Sequence, residues 1–315
     1  SDYTPLGPQY PKTSTGRRAA LANWITDSDN PLTARVAVNH IWMRHFGRPL
    51  VESVFDFGRS GKKPTLPQLL DWLAVELMEH NWSMKHIHRL IVTSNTYQLD
   101  SRPGSANHPN FAIDKDNRLW WKCDRRRLEA EVIRDSMLAA SGQLDRTIGG
   151  PEIAATSEAS SLRRSLYFTI YPEAGGAMQF MTLFDPPDPG GCYRRTDSIV
   201  PQQALAMSNS RLAINQGRLL AGALVKKLAS AENVDNDFVI GLFEQLLSRQ
   251  PTKKEALVCR EFLAKQRELY KLADPEELAA AAPKGSVAPA QGAGQRARES
   301  LARTLLNHND FITIH

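Results

Sequence analysis

The sequence has 315 residues, 39 Lys+Arg against 34 Asp+Glu for a net charge of +5, 42% hydrophobic residues and 3 cysteines. These proportions exclude a disordered chain, a collagen-like repeat and a disulfide-stapled miniprotein, and the length suffices for a sizeable core. No apolar run reaches the ~18 residues of a membrane span, and no like-charge block exceeds Arg125-Arg126-Arg127, so neither a membrane span nor a nucleic-acid surface is expected.

Residues 1–15, with Pro5, Pro8 and Pro11, read as an extended N-terminal arm cut from a longer polypeptide. Residues 16–315 read as one mainly α domain, an irregular multi-helix arrangement with long Pro/Gly-rich loops and at most a small β element. It divides into an N-terminal helical half (16–142), a loop-rich insertion (143–200) and C-terminal helices (201–315).

In chain order, helices are predicted at 17–26 and at 31–46, the latter opened by Asn30 as cap with Pro31 at the first position and stopped at Gly47. Further helices follow at 66–80, at 83–96 with Ser83 as cap, and at 127–141 before Gly142. Within the insertion, the alternation at 165–171 predicts a short strand. Helices resume at 201–207, 211–228, 235–248, 253–272 and 296–306, and the Ala/Pro/Gly-rich stretch 279–294 reads as a mobile connection.

The second helix is apolar around most of its cylinder, and Arg35 and Asn39 fall on the same line as Trp42 and Phe46. Both are expected to point inward, tying loops to the core or, less favourably, binding a ligand. On the 127–141 helix Glu131 and Asp135 lie four apart and require a cation. Arg127 and Arg134 can serve locally, and Arg35, Arg164, Arg194 and Arg195 are candidates from elsewhere, so an Arg–carboxylate network needs no metal. His88 falls beside Met84 and Ile91 and reads as a core histidine, while His86 faces away from it, so these two are not a ligand pair.

The span 184–197 concentrates Asp185, Asp188, Tyr193, Arg194, Arg195 and Asp197 among prolines and glycines. It reads either as a pocket lip or as a salt-bridged internal loop. Cys123, Cys192 and Cys259 form no CxxC and no CxxCH haem-attachment motif, so no cofactor is expected in this chain.

Taken together, Asn30-Pro-Leu-Thr-Ala-Arg-Val-Ala-Val-Asn-His-Ile-Trp42, Asp56-Phe-Gly58, Arg127-Leu-Glu-Ala-Glu-Val-Ile-Arg-Asp135, Gly149-Gly-Pro151, Arg163-Arg-Ser-Leu-Tyr167, Pro201-Gln-Gln-Ala-Leu205 and Leu305-Leu-Asn-His-Asn-Asp-Phe311 resemble the planctomycete PSD domain. That domain of unknown function is the C-terminal domain of planctomycete-type cytochrome c proteins. The match keeps the motif order over nearly the whole chain, although Leu66 stands where the family tends to have histidine before Pro67. The resemblance implies an extracytoplasmic setting, haem only on a separate upstream module, and the cytochrome c and other domains of the parent polypeptide as partners. It leaves two expectations. One is an accessory domain that packs against or positions the redox module. The other is an extracellular carbohydrate-binding or carbohydrate-processing domain with a carboxylate/arginine pocket.

Overall fold

The computed structural model describes residues 15–314 apart from 103, 105–106, 172, 174–175, 192–197, 229–233 and 275–283. Residues 1–14 of the predicted arm, together with Cys192, Tyr193, Arg194, Arg195 and Asp197, lie outside the described residues. The fold is mainly α, and the sheet found among the described residues is a pair of two-residue strands, β1 (Arg126–Arg127) and β2 (Thr313–Ile314). The chain forms two compact units, one ending at Arg126 and one spanning Arg127–Ile314.

The first unit contains α1 (Arg17–Thr26), α2 (Thr33–Phe46), α3 (Pro67–Glu79), α4 (Met84–Val92) and the short α5 (Asn110–Ile113). Asn30 does not cap α2. Its Oδ1 accepts the Leu32 N–H at 2.9 Å and its Nδ2 donates to the Trp24 carbonyl at 2.8 Å, which fixes the turn between α1 and α2. The helix therefore starts at Thr33, later than predicted. It ends at Gly47, whose φ of 75° permits the left-handed cap and whose N–H reaches the Met43 carbonyl at 2.7 Å.

Ala34, Val38, Ile41 and Trp42 of α2 share a buried core with Leu70, Leu73, Ala74 and Leu77 of α3 and Ile87 and Ile91 of α4. Ser83 caps α4 as predicted, accepting the His86 N–H at 3.3 Å. The expectation of a core His88 is corrected. The buried residues of α4 are Ile87 and Ile91, whereas Met84, the first residue of the helix, and His88, about 100° around from Ile87, are exposed, and His88 Nδ1 lies 2.7 Å from His45 Nε2.

The second unit comprises α6 (Ala130–Ala140), α7 (Gln179–Thr182), α8 (Pro201–Asn209), α9 (Arg211–Lys227), α10 (Val234–Leu247), α11 (Lys253–Leu272), α12 (Ala293–Leu306) and α13 (Asn309–Ile312). Ser210 caps α9 through the Ala213 N–H at 3.2 Å. The close approach of α9 and α12 passes Gly217, where a Cβ would stand 3.3 Å from the Arg303 backbone nitrogen. The core is built from Ile133 and Met137 of α6, Leu220 and Leu224 of α9, Phe238, Leu242 and Phe243 of α10 and Leu301 and Leu305 of α12.

Residues 165–171 do not form the predicted strand. Ser165–Tyr167 is a 3-10 turn, and Phe168 makes one isolated bridge with Ile153. Burial recurs at Ser165 and Phe168, a spacing of three that belongs to such a turn and not to a strand. In the 279–294 stretch, residues 279–283 lie outside the described residues. Those that follow are tied down. Arg218 donates to the Val287 carbonyl, the Val287 N–H donates to Asn215 Oδ1 at 2.7 Å, and the Ala290 N–H donates to Glu299 Oε1 at 3.1 Å.

The capping box of Thr252 and Glu255 places the start of α11 where the sequence predicts it. Glu255 also accepts from Arg249 at 2.8 Å, while Arg249 reaches Asp310 at 2.8 Å and lies over the Phe243 ring at 5.3 Å. Hydrogen bonds from Arg249 hold the Glu255 carboxyl down at about 2, against its ordinary 4.5. The folded state thus binds fewer protons than the unfolded chain between those values, so the contribution of Glu255 is complete above pH 4.5 and disappears as pH falls to about 2. Because Glu255 is 30% exposed, solvent screening limits the effect to about 1 kcal/mol. Urea unfolding of Glu255→Gln should show that much less loss of stability than the parent between pH 5 and pH 2.5, and equal slopes in the two proteins would refute this assignment.

Candidate functional site

α6 buries Ala130, Ile133, Met137 and Leu138, and Arg134 stands on the same surface, four residues from Ala130 and from Leu138. The guanidinium is tolerated there because both terminal nitrogens are paired, while its buried Nε finds no hydrogen-bond partner among the described residues. Nη1 donates to the Arg163 carbonyl at 3.0 Å and to Ser165 Oγ at 3.3 Å, and Nη2 donates to the Ser161 carbonyl at 2.8 Å. Its carbon lies 4.9 Å from the centroid of the Phe168 ring.

Asp135, the next residue, accepts the Ser165 N–H at 2.9 Å and the Ser165 hydroxyl at 2.7 Å. Arg134 Nη1 and Arg164 Nε approach its carboxylate at 3.4 and 3.9 Å. Burial pulls the Arg134 pKa down while Asp135 and Glu158 push it back up. An arginine stays charged at neutral pH under such a shift. The cations expected to face Asp135 are therefore Arg134 and Arg164. Glu131 lies one turn earlier on α6, half-buried, with Oε2 shielded from solvent.

Beside Arg134 opens a cavity of about 800 Å³, walled by α6, the 158–162 turn, α7, α8 and the first turns of α9. Its apolar surface comes from Leu138, Leu162, Phe180, Leu183, Leu205 and Leu212, and its polar groups include Glu158, Gln202, Asn209, Arg211 and Asn215. Burial pushes the Glu158 carboxyl up, against hydrogen bonds from the Phe180 and Gln179 backbone and the nearby Arg134 and Arg211. The volume and the mix of leucines with a few polar groups suit a small ligand with an apolar body.

The other predicted candidates sit elsewhere. Asp185, at a φ of 54°, accepts the Ser198 N–H and hydroxyl, each at 2.7 Å. Asp188 closes its own turn, accepting the Gly190 N–H at 2.9 Å. In the first unit, Asn39 is 1% exposed and clamps Val51, donating to its carbonyl at 3.2 Å and accepting its N–H at 2.9 Å. Arg35 is not inside as expected. Its side chain is 33% exposed, its Nε meets Asp71 of α3 at 2.6 Å, and Nη1 donates to the Pro31 carbonyl at 2.8 Å.

Of the predicted residues that the structure describes, then, Arg134, Asp135 and Arg164 join in one network, and Arg134 alone of them lines the cavity. Sequence reasoning missed Glu158, Gln202 and Arg211, which come from three separate segments. It also missed Glu76, His80 and His86, whose atoms converge between α3 and α4. The four-residue spacing of Glu76 and His80 on a helix was the available signal.

A family model described as PSD1, a protein of unknown function (DUF1553), matches residues 17–263. No curated protein and no solved structure matches the chain. No helix among the described residues is long and apolar enough to cross a membrane.

Proposed function

The chain belongs to the PSD1 family of unknown function, and we propose that it is a non-catalytic accessory domain of an exported protein, packing against or positioning a c-type cytochrome module of the same polypeptide. The supporting observation is where its charged groups are used. Arg134 and Asp135 hold the 161–165 backbone, Asp185 holds Ser198, and Asp188 closes its own turn. A general acid or base needs a carboxyl turned toward a reacting group, and these carboxylates are turned toward their own chain. The exported setting and the cytochrome partner come from the family resemblance.

A second reading, an extracellular carbohydrate-binding or carbohydrate-processing domain, rests on the cavity beside Arg134. Its leucine-rich wall suits a sugar face less well than an apolar ligand. The deciding experiment mixes the full chain with the haem-bearing region of its parent polypeptide and follows calorimetry, alongside an assay for release of reducing sugar from polysaccharides. Saturable one-to-one association without sugar release is the expected result. Lack of association at about 100 μM, or sugar release that Glu158→Gln abolishes, would overturn the accessory role.

A further inference from the structure

In the first unit, α3 and α4 bring three ligand-type side chains to one point. Glu76 and His80 lie four residues apart at the end of α3. Asn81 and Trp82 then adopt left-handed conformations with φ of 54° and 57°, and the Trp82 N–H reaches back to the Leu77 carbonyl at 2.8 Å. This reversal returns the first turn of α4, and with it His86, to Glu76. Glu76 Oε2 is 2.8 Å from His86 Nε2 and 3.3 Å from His80 Nδ1, and the three ligand atoms all lie within 4.8 Å of one another. The two imidazole rings stack with centroids 3.7 Å apart.

We propose that Glu76, His80 and His86 form a binding site for a divalent transition-metal ion of the Zn²⁺ class, with three protein ligands and a fourth position open to water. Four donors placed tetrahedrally at ~2.1 Å from Zn²⁺ stand ~3.4 Å apart. The separations from Glu76 Oε2, 2.8 and 3.3 Å, lie close to that edge. His80 Nδ1 also lies 2.9 Å from the Glu76 carbonyl, so binding requires the His80 ring to leave that contact and turn out of its parallel stack on His86. Two imidazoles with one carboxylate suit Zn²⁺ and its neighbours, whereas Ca²⁺ and Mg²⁺ call for oxygen donors throughout. Glu76 and His86 are 20% and 26% exposed and held by the two helices, while His80 is 46% exposed and leaves an approach for the ion and for water.

An ordinary ion pair joining α3 to α4 is the competing account, and only the metal site takes up an ion stoichiometrically. The test strips the full chain with a chelator and titrates it with ZnCl₂ by calorimetry, and with CoCl₂ by visible absorption. The expected result is one site per chain with Kd of about 1–10 μM and the visible bands of four-coordinate Co²⁺. His80→Ala, an exposed position whose loss leaves the fold intact, should weaken binding by about 100-fold or more, and Glu76→Gln should do the same. His88→Ala, at the neighbouring His45–His88 contact, should leave binding unchanged. Lack of saturable uptake below about 100 μM, uptake unchanged in His80→Ala, or uptake abolished by His88→Ala would each overturn the proposal.

Discussion

Arg134→Met should destabilise the second unit by about 3–5 kcal/mol, the range seen when one partner of a buried ionic network is removed. Methionine fills much of the volume, so lost packing is not the main cost. The cost comes from the acceptors left behind. The carbonyls of Ser161 and Arg163 lose their donors, and Asp135 loses the fully buried cation beside it, keeping Arg164, which is half-exposed and 3.9 Å away. Arg134→Lys should recover little, because a single ammonium cannot present the planar fork that reaches both carbonyls and Ser165 Oγ at once. Far-UV circular dichroism during urea unfolding is the suitable readout, since Trp24, Trp42, Trp72, Trp82, Trp120 and Trp121, all 6 of the tryptophans, report the first unit. A loss below about 1 kcal/mol would mean that the network is dispensable. The Arg134→Met/Asp135→Asn double variant measures the coupling directly, and its cost should fall well short of the sum of the single changes.

How far the sequence speaks for itself can be judged from particular elements. α1 and α11 begin and end at the residues the sequence predicts, and the structure shows local signals at both starts: Gly16 in a left-handed conformation precedes α1, and the Thr252–Glu255 capping box opens α11. The Arg134–Asp135 pairing was also accessible, since an arginine next to a carboxylate on a mostly apolar helix has few other ways to be buried. Arg35 misled because apolar periodicity says which face turns inward but not how near a helix end lies to solvent. Arg35 is in the first turn of α2, and its long side chain reaches out to Asp71. The 165–171 alternation misled because a strand needs a partner. Here Asp135 takes up the Ser165 N–H and draws the chain into a turn. The cavity was not legible at all, since pairing between the 158–162 turn, α8 and α9 is a long-range fact that no local pattern encodes.

Asn39→Asp, a change of one atom in shape, should cost about 3 kcal/mol at pH 7 and thereby show how the first unit closes its core. Asn39 presents a donor to the Val51 carbonyl and an acceptor to the Val51 N–H within a site only 1% exposed. A carboxylate keeps the acceptor but sets a second oxygen against the Val51 carbonyl, so one good hydrogen bond becomes a repulsive contact and a charge is buried against the Val51 backbone. Asn39→Ala loses both bonds without adding a charge and should cost less, about 2 kcal/mol. The pH dependence separates the two variants. On acidification the introduced carboxylate takes a proton, regains a donor toward Val51 and recovers part of the loss, whereas the alanine variant has nothing to titrate at this site. Since the buried carboxylate binds its proton more tightly folded than unfolded, the sign requires Asn39→Asp to gain stability relative to Asn39→Ala as pH falls. Tryptophan fluorescence follows this unit well, because Trp42 is on the same helix and stacks 4.2 Å from Phe46. If the aspartate and alanine variants unfold at the same urea concentration at pH 7 and stay together down to pH 4, the clamp on Val51 does not hold the loop as described.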